Sequence, residues 1–148
     1  MRAVDREVSM KTVLILPPFD LSAAYGSKRK MKRGSLPPLG MAYLAGALEA
    51  AGFEVGIVDA QVESLNAEET ADAVLAQSPD VAGLSTLSAF APAAYAVAEE
   101  LRKKAPELKI VLGGAHATSF YEQILGECPA IDIVIPGEAE TIFADLVG

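Results

Sequence analysis

A chain of 148 residues, 51% hydrophobic and with a formal net charge of −8, is long enough for one domain with a substantial core and too acidic for the basic footprint that nucleic acid requires. Its one cysteine, Cys128, excludes an internal disulfide, a four-thiolate zinc site and a cysteine-held iron–sulfur cluster within these residues. No apolar run approaches the ~20 residues that span a bilayer, and MRAVDREVSM lacks the apolar core of a signal peptide, so a cytoplasmic protein without membrane partners is expected.

Residues 1–10 read as a tail, and a single domain is expected over residues 11–148. The β-branched, apolar TVLIL (12–16), closed by Pro17 and Pro18, predicts a strand buried on both faces. About 20 residues follow without a regular pattern, long for a plain connector, and they include KRKMKR (28–33), which holds five of the twelve Lys and Arg residues. That run reads either as a solvated loop or as a docking element. LGMAYLAGALEAAG (39–52), with Leu44 and Leu48 at helical spacing and a glycine stop, predicts a helix, and EVGIVDA a second strand.

The alternation continues. Asn66, followed by acidic residues, caps a helix over NAEETADAVLAQS, and DVAGLS is the third strand. Pro92 suits a first helical turn, and the helix ends on Arg102, Lys103 and Lys104, at the negative end of its dipole. LKIVLGG is strand four, TSFYEQILGE a short helix, IDIVIPG strand five and AETIFADLV a last helix. Five such units with parallel crossovers predict a flavodoxin-like, Rossmann-type doubly wound sheet: three layers, five parallel strands, order 2-1-3-4-5.

Ligands of such sheets bind outside the carboxyl ends of the strands. Here those ends are PPF, Asp59, LSTLS, GGAHAT and PGEAE. The turn after strand one has proline where a dinucleotide fingerprint needs glycine, there is no P-loop lysine, and Asp20 and Asp59 alone do not make the acidic cluster of a phospho-accepting receiver. Two glycines ending strand four leave room for a bulky group against the backbone; Ser85 offers a hydroxyl and Leu87 an apolar wall. Glu138 and Glu140 read as dipole partners of the last helix, and Asp59 as a polar strand end. Tyr43, Tyr95 and Phe90 read as packing residues.

Over residues 11–148 the chain resembles the cobalamin-binding domain, and more narrowly the version at the N-terminus of radical S-adenosylmethionine (SAM) enzymes. The general pattern is D-x-H-x-x-G, S-x-L and G-G. Ser85-Thr86-Leu87 and Gly113-Gly114 match the last two, while SLPPLG puts Ser35 and Pro37 where the first has its aspartate and its cobalt-ligating histidine. The radical-enzyme versions share PPLG, GGxHxT and GExE, matched here through Gly40, His116, Thr118, Gly137, Glu138 and Glu140. The resemblance implies cofactor contacts from Pro37, Pro38, Leu39, Gly40, Ser85, Thr86, Leu87, Gly113, Gly114, His116, Thr118, Gly137 and Glu138. The nucleotide tail would lie in a slot between strands one and three, with the corrin on the strand ends.

No catalytic residue and no protein ligand to cobalt is expected, so cobalamin is expected base-off and His-off. His116 reads either as a hydrogen-bonded loop imidazole or as a contact to the tail, the corrin or an adjoining domain. The resemblance further implies an excised domain whose partner is a C-terminal radical SAM domain with a 4Fe–4S cluster. There S-adenosylmethionine would yield a 5′-deoxyadenosyl radical that abstracts hydrogen from a substrate, and methylcobalamin would donate the methyl group. Two further readings stay open: a degenerate docking module without cobalamin, and a flavodoxin-like binding protein for another small molecule.

Overall fold

A computed structural model describes residues 9–19 and 38–147. The tail, Asp20, the basic run 28–33, Ser35 and Pro37 lie outside the described residues. Five parallel strands, β1 (Lys11–Leu16), β2 (Glu54–Asp59), β3 (Val81–Ser85), β4 (Lys109–Gly113) and β5 (Ile133–Val134), form one sheet in the order β2-β1-β3-β4-β5. This is the predicted flavodoxin-like order. Five helices connect and follow the strands: α1 (Leu39–Ala50), α2 (Ala67–Leu75), α3 (Ala91–Lys104), α4 (Ala115–Glu127) and α5 (Ala139–Val147).

The helix starts follow from local chemistry. Asn66 Oδ1 accepts from Glu69 N–H while the Glu69 carboxylate accepts from Asn66 N–H, a reciprocal cap for α2. Pro92 sits in the first turn of α3, where its missing N–H leaves no bond unmade. Arg102 does more than face a helix dipole: its guanidinium donates to the carbonyls of Pro106, Leu108 and Ala130 and to the Asp132 carboxylate. Asp132 also accepts from Ile110 N–H, so one arginine fastens the amino ends of β4 and β5.

Two boundaries differ from the sequence expectation. β5 is an edge strand of two residues, cut short by Pro136, because proline cannot continue a ladder. α4 begins at Ala115 rather than Thr118, directly after Gly114, whose φ of +94° makes the turn out of β4. His116 therefore stands in the first helical turn and not in a loop.

Side chains alternate across the sheet. Val13, Ile15, Ala82, Leu84, Ile110 and Leu112 pack against α2, α3 and α4, and Leu14, Val81, Val111 and Ile135 against α1 and α5, together with Phe143. The second layer is thinner, and the site lies there.

Candidate functional site

A cavity of about 280 Å³ lies between the sheet and the α1–α5 layer, toward the carboxyl ends of the strands. Its floor is Leu14, Gly83 and Val111; Met41 and Leu44 of α1 and Phe143 of α5 form the walls. The rim carries Gly40, Ser85, Gly113, Gly114, Thr118, Gly137, Glu138 and Glu140. β1, β3 and β4 are hydrogen-bonded neighbours, and the space lies over one face of all three. A second hollow of about 380 Å³ adjoins it on the strand ends, lined by Leu16, Pro17, Phe19, Gln61, Ser85, Thr86, Leu87, Phe90 and Ala115. Ser85 and Ala115 border both.

The paired glycines have separate reasons. A Cβ on Gly114 would stand 2.7 Å from the Thr86 carbonyl oxygen and 2.9 Å from its nitrogen, and φ is +94°, so this glycine is demanded by the chain itself. A Cβ on Gly113 would meet nothing nearer than the Ile135 carbonyl at 3.9 Å. Gly113 shares the face of Val111 and lines the cavity, so what its bare backbone leaves is room.

The turns after β4 and β5 are tied together by Thr118. Its hydroxyl donates to the Gly114 carbonyl at 3.1 Å and accepts from Gly137 N–H at 2.9 Å. Gly137 has φ +77°, so the turn into α5 also depends on glycine. Glu138 is exposed, and Glu140 stands in the first turn of α5. Asp59 accepts from Gln61 and Val62 N–H and shapes the turn after β2, the polar strand end anticipated for it.

His116 lines neither hollow. It is 7% exposed, with Nε2 2.9 Å from the Tyr95 hydroxyl and Nδ1 3.2 Å from Ser88 Oγ. Its backbone N–H donates to the Thr86 carbonyl, and Phe120 packs on the ring. Tyr95 in turn donates to Glu127, and burial together with that bond pushes its phenol up to about 12. Of the residues expected at the site, Pro38 and Leu39 also line neither hollow. Pro38 caps the start of α1, and Leu39 is 78% exposed. Tyr43, expected to pack, is 71% exposed.

Sequence reading missed the floor and walls, because Leu14, Met41, Val111 and Phe143 follow the same periodicity as any core residue. One signal was available: Gly83 interrupts a buried strand, which marks a close approach, and here Leu14 and Phe143 crowd the missing side chain. Among the described residues no group of His, Cys, Asp and Glu side chains is arranged to hold a metal ion, and no helix is long and apolar enough to cross a membrane.

A family model described as B12 binding domain matches residues 32–147. An anaerobic magnesium-protoporphyrin IX monomethyl ester cyclase from Cereibacter sphaeroides is 39% identical over 119 residues, covering 77% of this chain and 19% of that protein. An uncharacterized methyltransferase from Pyrococcus horikoshii is 33% identical over 138 residues, covering 93% of this chain and 29% of that protein. The radical S-adenosylmethionine methyltransferase TsrM from Kitasatospora setae, solved with cobalamin and a 4Fe–4S cluster bound, superposes with a TM-score of 0.71 at 18% identity, covering 94% of this chain and 24% of that one. The chain thus spans less than a third of the length of these relatives.

Proposed function

The chain belongs to the B12-binding domain family, and on that premise we propose that it holds cobalamin base-off and His-off as the cofactor domain, over residues 11–148, of a longer radical SAM enzyme that transfers a methyl group. One observation carries the cofactor state. The only histidine of the chain is turned away from both hollows, with each ring nitrogen at hydrogen-bond distance from a side chain of its own layer.

The residues present fit the group. The cavity is walled by aliphatic and aromatic side chains, suited to the apolar base of the nucleotide tail, and Gly113 keeps its entrance clear. Ser85, at the shared border, is placed to offer its hydroxyl to a nitrogen or phosphate of the tail. Leu87, 56% exposed, and the Phe19–Phe90 edge-to-face pair, with centroids 4.0 Å apart, give the strand ends an apolar surface for a flat ring. Thr86, Gly114, Thr118 and Gly137 hold the two rim turns in register. Pro37, expected near cobalt, has no donor nitrogen and fits the His-off state.

When bound, cobalamin supplies a cobalt centre able to carry a methyl group; Ser85, Leu87 and the residues lining the two hollows would seat and orient it. The 4Fe–4S cluster, the S-adenosylmethionine site and the substrate belong, in this reading, to the partner catalytic domain. The neighbour solved with cobalamin and a 4Fe–4S cluster bound is a longer chain, of which this one covers 24%, and that supports this reading.

The test is to load the purified chain with hydroxocobalamin, remove free cofactor and record the absorption spectrum. Stoichiometric retention with a base-off spectrum is expected. A histidine-ligated spectrum, or no retention by the chain and by the longer protein, overturns the reading.

A further inference from the structure

We propose that Glu127, Tyr95 and His116 are positioning residues: they set the direction of a hydrogen-bond chain that ends on Ser88 and thereby hold the loop after β3 in the shape that receives the cofactor. The inference rests on the cobalamin reading above and goes beyond it, since none of the three lines either hollow.

The direction of the chain follows from donor arithmetic. A carboxylate accepts and does not donate, so the single proton of the Tyr95 hydroxyl is committed to Glu127 Oε2, 3.0 Å away. The Tyr95 oxygen, 2.9 Å from His116 Nε2, is then left to accept, which requires Nε2 to carry a proton. In the neutral ring Nδ1 is bare, and Ser88 Oγ at 3.2 Å must be its donor. An exposed glutamate thus selects the tautomer of a buried imidazole. The raised phenol of Tyr95 accords with a hydroxyl that keeps its proton.

What the chain grips is the cofactor loop. Ser88 opens the 3-10 turn Ser88–Phe90 that leads from Ser85, Thr86 and Leu87 into α3. The same histidine takes the Thr86 carbonyl through its backbone N–H at 3.2 Å. Side chain and main chain of one residue therefore hold both ends of Thr86–Ser88, while Ser85 and Leu87, just beside them, stand on the surface of the hollow.

Because the chain has one histidine, a long-range ¹H–¹⁵N spectrum contains a single imidazole. Four proteins are compared: wild type, Tyr95→Phe, Glu127→Leu and Glu127→Gln. Glu127 is exposed, so Glu127→Leu is expected to fold. In wild type the Nε2–H tautomer is expected. In Glu127→Leu the Tyr95 proton is released to face Nε2, the tautomer shifts to Nδ1–H, and the Thr86 and Ser88 amide signals move before any cobalamin is added. Both variants should bind hydroxocobalamin roughly fivefold or more weakly, the scale of one net hydrogen bond, while Glu127→Gln, which keeps an acceptor oxygen, should restore the wild-type tautomer and affinity. A wild-type Nδ1–H tautomer, or variants that change tautomer yet bind as wild type, overturns the proposal and leaves the cobalamin reading standing. No retention by the wild-type chain and by the longer protein overturns both.

Discussion

On the face of the sheet that packs α2, α3 and α4, the last inward positions of β3 and β4 are Leu84 and Leu112, at 2% and 0% exposure. On the opposite face the neighbouring positions are Gly83, Ser85 and Gly113, and Phe143 reaches across from α5 toward the gap. The same two strands therefore finish one face as a close-packed core and leave the other open. Burial of apolar area at about 25 cal/mol per Å² rewards the first arrangement and is forgone in the second. Stability and binding are thus separated by strand parity, one residue apart.

The separation can be attacked from the packed side first. Leu101 of α3 is fully buried in the core cluster on this face, so Leu101→Ala is expected to cost about 2–5 kcal/mol in urea unfolding. Cobalamin stoichiometry of the fraction that remains folded should not change. A loss of binding without a loss of stability would break the comparison.

The two glycines sharpen it. Gly114→Ala places a Cβ against the Thr86 backbone at positive φ, and should lower stability by about 1–3 kcal/mol. A Cβ on Gly113 meets only the Ile135 carbonyl at ordinary contact, 3.9 Å, and the side chain beyond it enters the cavity, so Gly113→Leu should leave stability within the ~0.5 kcal/mol scatter of ordinary surface substitutions. The same variant should reduce cobalamin retention at least tenfold, about 1.4 kcal/mol, by filling the cavity entrance. Gly113→Ala should do little to either. Adjacent glycines with opposite phenotypes would place the boundary between fold and site inside one dipeptide.

The smallest effect is on pH. The Tyr95 phenol lies at about 12 in the folded chain, raised by burial and then by the Glu127 bond, above its ordinary value of 10.0. Its contribution to stability is fully present below pH 10 and is lost as pH rises toward 12. Cys128, buried and likewise raised above its ordinary 9.0, adds in the same alkaline direction. Unfolding midpoints should be level near neutrality and fall from about pH 9 upward. Tyr95→Phe and Cys128→Ala should each flatten part of that fall, and Lys103 and Lys104, raised by their bonds to Glu100 and Asp72, account for a further part.

Much of this organisation is visible in the residues alone, for identifiable reasons. Asn66, Pro92 and the β-branched runs announce α2, α3 and the central strands through local chemistry, which needs no tertiary partner. The start of α4 was missed because Gly114 supplies no capping side chain, and the turn is made by backbone conformation. β5 was overextended because IDIVIPG has the composition of a central strand, while its place at the sheet edge is a tertiary fact. At the site, the rim glycines and Ser85 were legible as departures from a core pattern. The floor was not, since an apolar side chain facing a cavity and one facing a neighbour obey the same alternation. His116 stood out as the only imidazole, yet its partners Tyr95 and Ser88 come from another crossover, 21 and 28 residues away.

Thr118 gives the two rim motifs a shared fate. Because one hydroxyl holds the carbonyl of Gly114 and the amide of Gly137, the turns after β4 and β5 are a single mechanical part, although Gly137 lies 19 positions beyond Thr118 in the chain. Anyone grafting this rim onto another doubly wound scaffold must move residues 113 to 138 as one piece, with α4 and β5 carried along as passengers.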